Sequence, residues 1–200
     1  MESVERLNIS AIYSIIDQFR KEDRYYDVSI QVGAEIFKCH RLLLVALSEY
    51  FDKMFDGQFR ERNVNRDEPI VLHEIEPSAF QEVLHFMYSG NVRQITDSNY
   101  YTLICTSDFL QLRVPYIEEQ CMNHLRDVLI PKLEPIPNAI EIFEYALAST
   151  KEVLRDVLGK HIFRHLYHFS KEPEFLNFTL DNFILILNHK RLFSTNNEDL

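Results

Sequence analysis

Residues 27–61 read DVSIQVGAEIFKCHRLLLVALSEYFDKMFDGQFRE. Val28, Ile30 and Val32 alternate with Ser29, Gln31 and Gly33, the period of a half-buried strand. Gly33-Ala34 supplies a turn, and 35–38 reads as a second short strand. From Leu44 the period changes: Leu44, Leu47, Phe51, Met54 and Phe55 recur at helical spacing. The stretch therefore predicts a hairpin that feeds into two short helices, at 40–47 and 48–55. Ser48 is placed to cap the second, and Glu49 sits at the favourable end of its dipole. A small sheet covered by helices makes the class α+β.

Outward from this segment the helical signals dominate. Residues 8–21 form an amphipathic helix with Ile9, Ile12, Ile15, Ile16 and Phe19 on one stripe and Ser10, Ser14 and Asp17 off it. The polar link Glu22-Asp23-Arg24 separates that helix from the first strand, so its apolar side need not pack on its own domain. Residues 57–68 read as a charged loop and 69–73 as a third strand. Pro77 suits the first turn of a helix whose Phe80, Val83, Leu84 and Met87 face inward, and Gly90 suits its stop. Two further helices are expected near 97–110 and 115–129. Pro131, Pro135 and Pro137 then mark a break, placed as a domain boundary, beyond which the pattern is all helical at 140–148, 151–169 and 181–187.

A chain of 200 residues, 46% hydrophobic with only 4 glycines, has the material for a compact, helix-rich core. Its net charge of −10, from 31 acidic against 21 basic side chains, repels a phosphate backbone and argues against a nucleic-acid partner. Arg60, Arg62 and Arg66 form the densest basic cluster, but Glu61 and Asp67 dilute it into a solvated loop. The longest apolar runs, 42–47 and 183–187, are too short to span a bilayer, and the N-terminus has no signal-peptide profile. Three unpaired-looking cysteines, Cys39, Cys105 and Cys121, fit a reducing compartment, cytosol or nucleus.

The glycines, Gly33, Gly57, Gly90 and Gly159, exclude a dinucleotide fingerprint and a phosphate loop. No serine sits in a nucleophile elbow, and Cys39-His40 has no obvious third group to orient it. Cys39, beside Lys38 and His40, is the thiol whose neighbours could lower its pKa; the simpler reading is a buried small hydrophobe. His161, His165 and His168 fall at i, i+4, i+7 on one expected helix, where ordinary histidines on a polar face are the better reading and a metal site the weaker one. An enzyme, a cofactor and a metal are accordingly not expected. The aromatic cluster is more telling. Phe51 and Phe55 are in step with the core, which leaves Tyr50, Met54 and Phe59 as a patch of protein-binding composition.

In order, and with family-like separations, Asp27-Val28, Phe37, His40-Arg41, Ser48-x-Tyr50-Phe51, Met54-Phe55, Tyr88-Ser89-Gly90 and Asp108-Phe109-Leu110-Gln111 are similar to a BTB (POZ) domain over roughly 9–129. From about 137 onward, Phe143-x-x-Ala146, His161-Ile162-Phe163 and Glu174-Phe175-Leu176 resemble the BACK domain that follows BTB in kelch-type adaptors. There the usual serine-aspartate is replaced by Arg191-Leu192-Phe193-Ser194. The resemblance implies a BTB dimerisation and cullin-binding domain at 1–130 and the N-terminal part of a BACK helical domain at 131–200.

It further implies homodimerisation through the first helix, with Ile9, Ile12, Ile16 and Phe19 in the interface and Asp27 and Arg41 as a partly buried pair at its seam. Phe59-Arg60-Glu61 matches the hydrophobic-x-Glu triplet of adaptors that bind cullin three, with Tyr50, Met54, Tyr88 and Tyr100 (or Tyr101) adding contacts. The function implied is that of a homodimeric, non-catalytic substrate adaptor of a cullin three RING ubiquitin ligase. Its substrate would be held by a region outside this chain. The alternatives are a BTB transcriptional regulator that recruits a corepressor, or an oligomerisation module only.

Overall fold

The computed structural model describes residues 2–56 and 65–188, and side chains from residue 11. The chain divides into two compact units, residues 1–121 and 122–200. In the first, a leading helix α1 (Glu2–Lys21) precedes the hairpin β1 (Val28–Val32) and β2 (Glu35–Cys39). Helices α2 (Arg41–Leu47) and α3 (Glu49–Asp56) follow, then β3 (Ile70–Leu72), α4 (Pro77–Ser89), α5 (Tyr100–Phe109) and α6 (Tyr116–His124). The strands form one sheet in the order β2–β1–β3, with β1 antiparallel to β2 and parallel to β3, Ile30 opposite Ile70.

The period switch in residues 27–61 is realised directly. Val28, Ile30 and Val32 of β1 are buried, as are Phe80, Val83 and Leu84 of α4. Phe37 of β2 meets Phe80 edge-on at 5.1 Å. The hairpin turn needs glycine twice over. Gly33 has φ +58, and a Cβ there would lie 3.1 Å from the Pro77 ring that opens α4. Gly90, at φ +74, closes α4 with its N–H on the Phe86 carbonyl.

Ser48 joins α2 to α3. It is fully buried, its hydroxyl donates to the Leu110 carbonyl at 2.5 Å and accepts the Phe51 N–H at 3.2 Å. One side chain thus caps α3 and fastens it to the end of α5. Backbone bonds reinforce the seam on either side, Glu49 N–H to Gln111 O and Arg113 N–H to Leu47 O. Ser48→Ala should therefore cost about 2–3 kcal/mol, a lost cap plus a buried carbonyl deprived of its donor. Urea unfolding monitored by circular dichroism measures it; a loss under about 0.5 kcal/mol would contradict this role.

In the second unit, α6 runs on through a π-turn (Leu125–Leu129) and a 3-10 turn (Ile130–Lys132). After the proline-rich stretch come α7 (Ala139–Ala148), α8 (Glu152–Arg164), the short helices α9 (Leu166–Phe169) and α10 (Pro173–Leu176), and α11 (Leu180–Asn188). Ile140, Ile142, Phe143 and Ala146 of α7 are buried, as are Leu154, Leu158 and Ile162 of α8, the helix on which α7 packs. The proline cluster lies inside this unit, ahead of α7.

The single helix expected over 151–169 is instead broken at His165, where α8 ends and α9 begins. The break splits the histidine stripe. His161 is buried, with its Nε2 accepting the Ile136 N–H at 3.1 Å, while His168 is exposed beside Glu172 at 3.5 Å. Among the described residues no group of three or more His, Cys, Asp or Glu side chains could hold a metal ion.

Because Nε2 of His161 is an acceptor, the proton sits on Nδ1, which is buried without a partner among the described residues. Burial, with His165 and Arg164 adding to it, lowers the His161 pKa to about 4. A histidine depressed in the folded state binds a proton more readily when unfolded. Its contribution is therefore complete above about pH 6.5 and is lost as pH falls towards 4. Unfolding free energy should drop by about 2 kcal/mol more in the wild type than in His161→Gln between those pH values. Parallel pH profiles for the two proteins would show that the buried imidazole does not carry the effect.

Candidate partner-binding site

The residues expected to meet partners fall on two surfaces of the first unit. The first is α3. Phe51 and Phe55 are buried and stacked at 5.9 Å, with the Arg41 guanidinium over the Phe55 ring at 4.8 Å. Tyr50 and Met54, one turn apart on the neighbouring face, are half-buried. Tyr50 rests on Phe109 of α5 at 5.0 Å and on Phe51 at 5.5 Å, which fixes its ring. α3 ends at Asp56, so Phe59 and Glu61 follow it by three and five residues; both lie outside the described residues.

Tyr88 and Tyr100 do not belong to that surface. They are 0% and 3% exposed, so neither ring offers area to a partner. Tyr88 works inside the fold instead. Its hydroxyl accepts the His40 N–H at 2.9 Å and lies 2.8 Å from His40 Nδ1, while His40 Nε2 faces the Arg24 carbonyl at 2.9 Å. A carbonyl can only accept, so the His40 proton is on Nε2 and Tyr88 donates to Nδ1. Burial raises the pKa of both phenols, which therefore stay neutral at physiological pH. Half-buried Tyr101 is the neighbour that keeps some surface.

The second surface is α1, which packs on α4. The face it turns inward is not the isoleucine stripe. Asp17, expected off the packed side, is buried, with its carboxylate between Arg20 at 2.9 Å and Lys21 at 2.6 Å. Burial opposes ionisation of Asp17, but the two cations outweigh it and the pKa is lowered. Tyr13 lies against Gly90, and the Arg20 guanidinium sits over the Tyr88 ring at 5.2 Å. With Tyr13, Asp17 and Arg20 turned to α4, Ile12 and Ile15 point outward at 56% and 52% exposure. Ile16 and Phe19 are half-buried between the two faces, and the side chain of Ile9 lies outside the described residues.

Asp27 and Arg41 meet, though not as a partly buried charge pair. Asp27 is exposed, and its carboxylate accepts the Arg41 backbone N–H at 2.7 Å, at the first residue of α2. The Arg41 side chain returns an Nε–H to the Asp27 carbonyl at 3.3 Å. This contact ties β1 to the start of α2. Cys39 is fully buried and its thiol pKa is pushed up to about 12 by burial, so it behaves as a core residue and not as a reactive thiolate.

A BTB/POZ domain model matches residues 16–129, which takes in all three strands and α2 to α6. The chain belongs to the BTB/POZ family. The solved BTB domain of zebrafish PATZ1 is similar in fold, with TM-score 0.51 and 25% sequence identity over 60% of this chain and 92% of that one. Kelch repeat and BTB domain-containing protein 8 of Xenopus tropicalis is 31% identical across 88% of this chain. Kelch-like protein 21 of Danio rerio is 29% identical across 80%. The matched region is 28% and 24% of those relatives, so this BTB chain spans about a quarter of their length. A BTB domain with kelch-like relatives is an adaptor-type, protein-binding module. Among the described residues no helix is long and apolar enough to cross a membrane.

Proposed function

We propose that this BTB chain is a homodimeric, non-catalytic adaptor that recruits a cullin three RING ubiquitin ligase, in cytosol or nucleus. A BTB domain at 1–130 and the first helices of a BACK domain at 131–200 would carry that role. The observation that carries the proposal is the α3 face. Tyr50 and Met54 are half-buried, Tyr50 against the rings of Phe51 and Phe109, and the triplet Phe59-Arg60-Glu61 follows in sequence. A rigid aromatic and a methionine beside a phenylalanine and a carboxylate have the composition of a binding hot spot. Phe59 would fill an apolar groove on the cullin's N-terminal helices, and Glu61 would accept hydrogen bonds from backbone amides. Tyr101 replaces Tyr88 and Tyr100 in the proposed contact set, since it keeps surface and they do not.

Dimerisation is supported by α1, whose outward isoleucines are large exposed apolar groups on a helix already anchored through its other face. Two such faces meeting across a two-fold axis would exclude water from both at once. The substrate would be bound by a region outside this chain, and the output would be proximity between ligase and substrate. Titrating the chain with the N-terminal domain of cullin three tests the proposal, with Phe59→Ala combined with Glu61→Ala as the comparison. Failure of the wild type to bind would leave only the general BTB adaptor role.

A further inference from the structure

The link between α1 and β1 holds a tyrosine in a backbone conformation that bulky residues rarely adopt. Tyr25 has φ +59, and it is 68% exposed. The positive φ of nearby Asp23, +53, belongs to the stop of α1, where the Arg24 N–H reaches back to the Phe19 carbonyl at 2.8 Å. Tyr25 lies beyond that stop. Its backbone is held from the other side, where His40 Nε2–H donates to the Arg24 carbonyl at 2.9 Å and Tyr88 fixes the imidazole. Glycine would adopt this φ at no steric cost, so a tyrosine kept there signals a use for its side chain. The ring stands edge-on to Phe19 at 5.0 Å, with the Arg24 guanidinium over both rings at 5.1 Å.

We propose that Tyr25 is an aromatic anchor of the contact between two copies of this chain. The proposal rests on the outward face of α1 being the dimer surface, and it carries that surface past the helix onto the link. Phe19 lies one turn beyond Ile15 and touches Tyr25, so the apolar face runs on from Ile12 and Ile15 through Phe19 to the Tyr25 ring. Charge favours a second copy as the occupant. At net −10 the chain repels itself, and association is least opposed where charges cancel. They cancel here, Arg24 pairing with Glu22 at 3.4 Å and Lys38 with Asp23 at 2.7 Å. A tyrosine offers a large contact area with few rotors to freeze, and a two-fold axis uses the ring twice.

Subunit exchange between two fluorescently labelled populations of the full chain tests the proposal, since interface changes act mostly on dissociation. Tyr25→Gly should speed exchange at least about thirtyfold, with the ring lost from both protomers. Tyr25→Phe keeps the ring and should stay within about threefold of the wild type. Exchange at the wild-type rate in Tyr25→Gly, or a gain just as large in Tyr25→Phe, would overturn the inference.

Two controls separate the anchor from the fold and from the dimer itself. In the monomer expected from Ile12→Asp with Ile15→Asp, adding Tyr25→Gly should hardly move the thermal unfolding midpoint, because relief at φ +59 offsets the lost ring contacts. A marked fall there would show that the ring serves its own protomer, and the inference would fail. A wild type that light scattering finds monomeric, or an Ile12→Asp, Ile15→Asp variant that stays dimeric, removes the outward face of α1 as the contact and the Tyr25 anchor with it. Dimer loss in that variant with unaltered exchange in Tyr25→Gly removes the anchor alone.

Discussion

Ile12→Asp together with Ile15→Asp should turn the protein from a dimer into a monomer of 23.8 kDa at micromolar concentration. Both side chains are more than half exposed on α1, so the free protomer tolerates the change at little cost. In a two-fold dimer each substitution acts twice. With about half of each isoleucine still exposed in the protomer, burying it is worth about 1 kcal/mol, so losing four across the interface removes roughly 4 kcal/mol, even before the four new carboxylates are desolvated. The dissociation constant should rise by at least about a thousandfold. The fold should survive, because α1 is held to α4 through Tyr13, Asp17 and Arg20, none of which is touched. Light scattering checks the mass and circular dichroism checks the helix content. A variant that keeps twice the monomer mass would show that the outward face of α1 is not the dimer contact.

The second large effect is expected at Phe59 and Glu61. A buried aromatic anchor at an interface centre is worth about 2–4 kcal/mol on truncation to alanine, and a carboxylate with hydrogen-bonding duties adds about 1 kcal/mol. Phe59→Ala with Glu61→Ala should therefore weaken cullin three binding by well over tenfold. Stability should hardly move, since Ser48 and the Phe51–Phe55 stack hold α3 from within the core. The contrast with Ser48→Ala is informative. That substitution should lower stability while leaving the binding chemistry itself intact. Comparable loss of binding from both, scaled by the folded fraction, would mean that Phe59 and Glu61 act through the fold.

The parts of this structure that could be read in advance were those set by neighbouring residues. Val28, Ile30 and Val32 declared a strand with one apolar face, and that face of β1 is buried, although Ser29 on the other face is buried too, its hydroxyl donating to the Arg66 carbonyl. Ser48, Pro77 and Gly90 announced the ends of α3 and α4 by local backbone chemistry, and each occupies that role. What escaped the sequence was decided by partners distant in the chain. Tyr88 looks like a surface aromatic until His40, 48 residues away, takes its hydroxyl inside. Asp17 reads as the polar side of an amphipathic helix, yet two cations on its own helix let it be buried against α4. His165 carries no breaker chemistry, so periodicity ran a helix through the place where the chain turns.

Calorimetric titration of the purified chain with the N-terminal domain of cullin three puts the adaptor reading to its most direct trial. The reading predicts saturable binding at one cullin domain per protomer, on a particle of twice the monomer mass. No heat of binding at micromolar concentration, or an isotherm unaltered by the paired changes at Phe59 and Glu61, would contradict it.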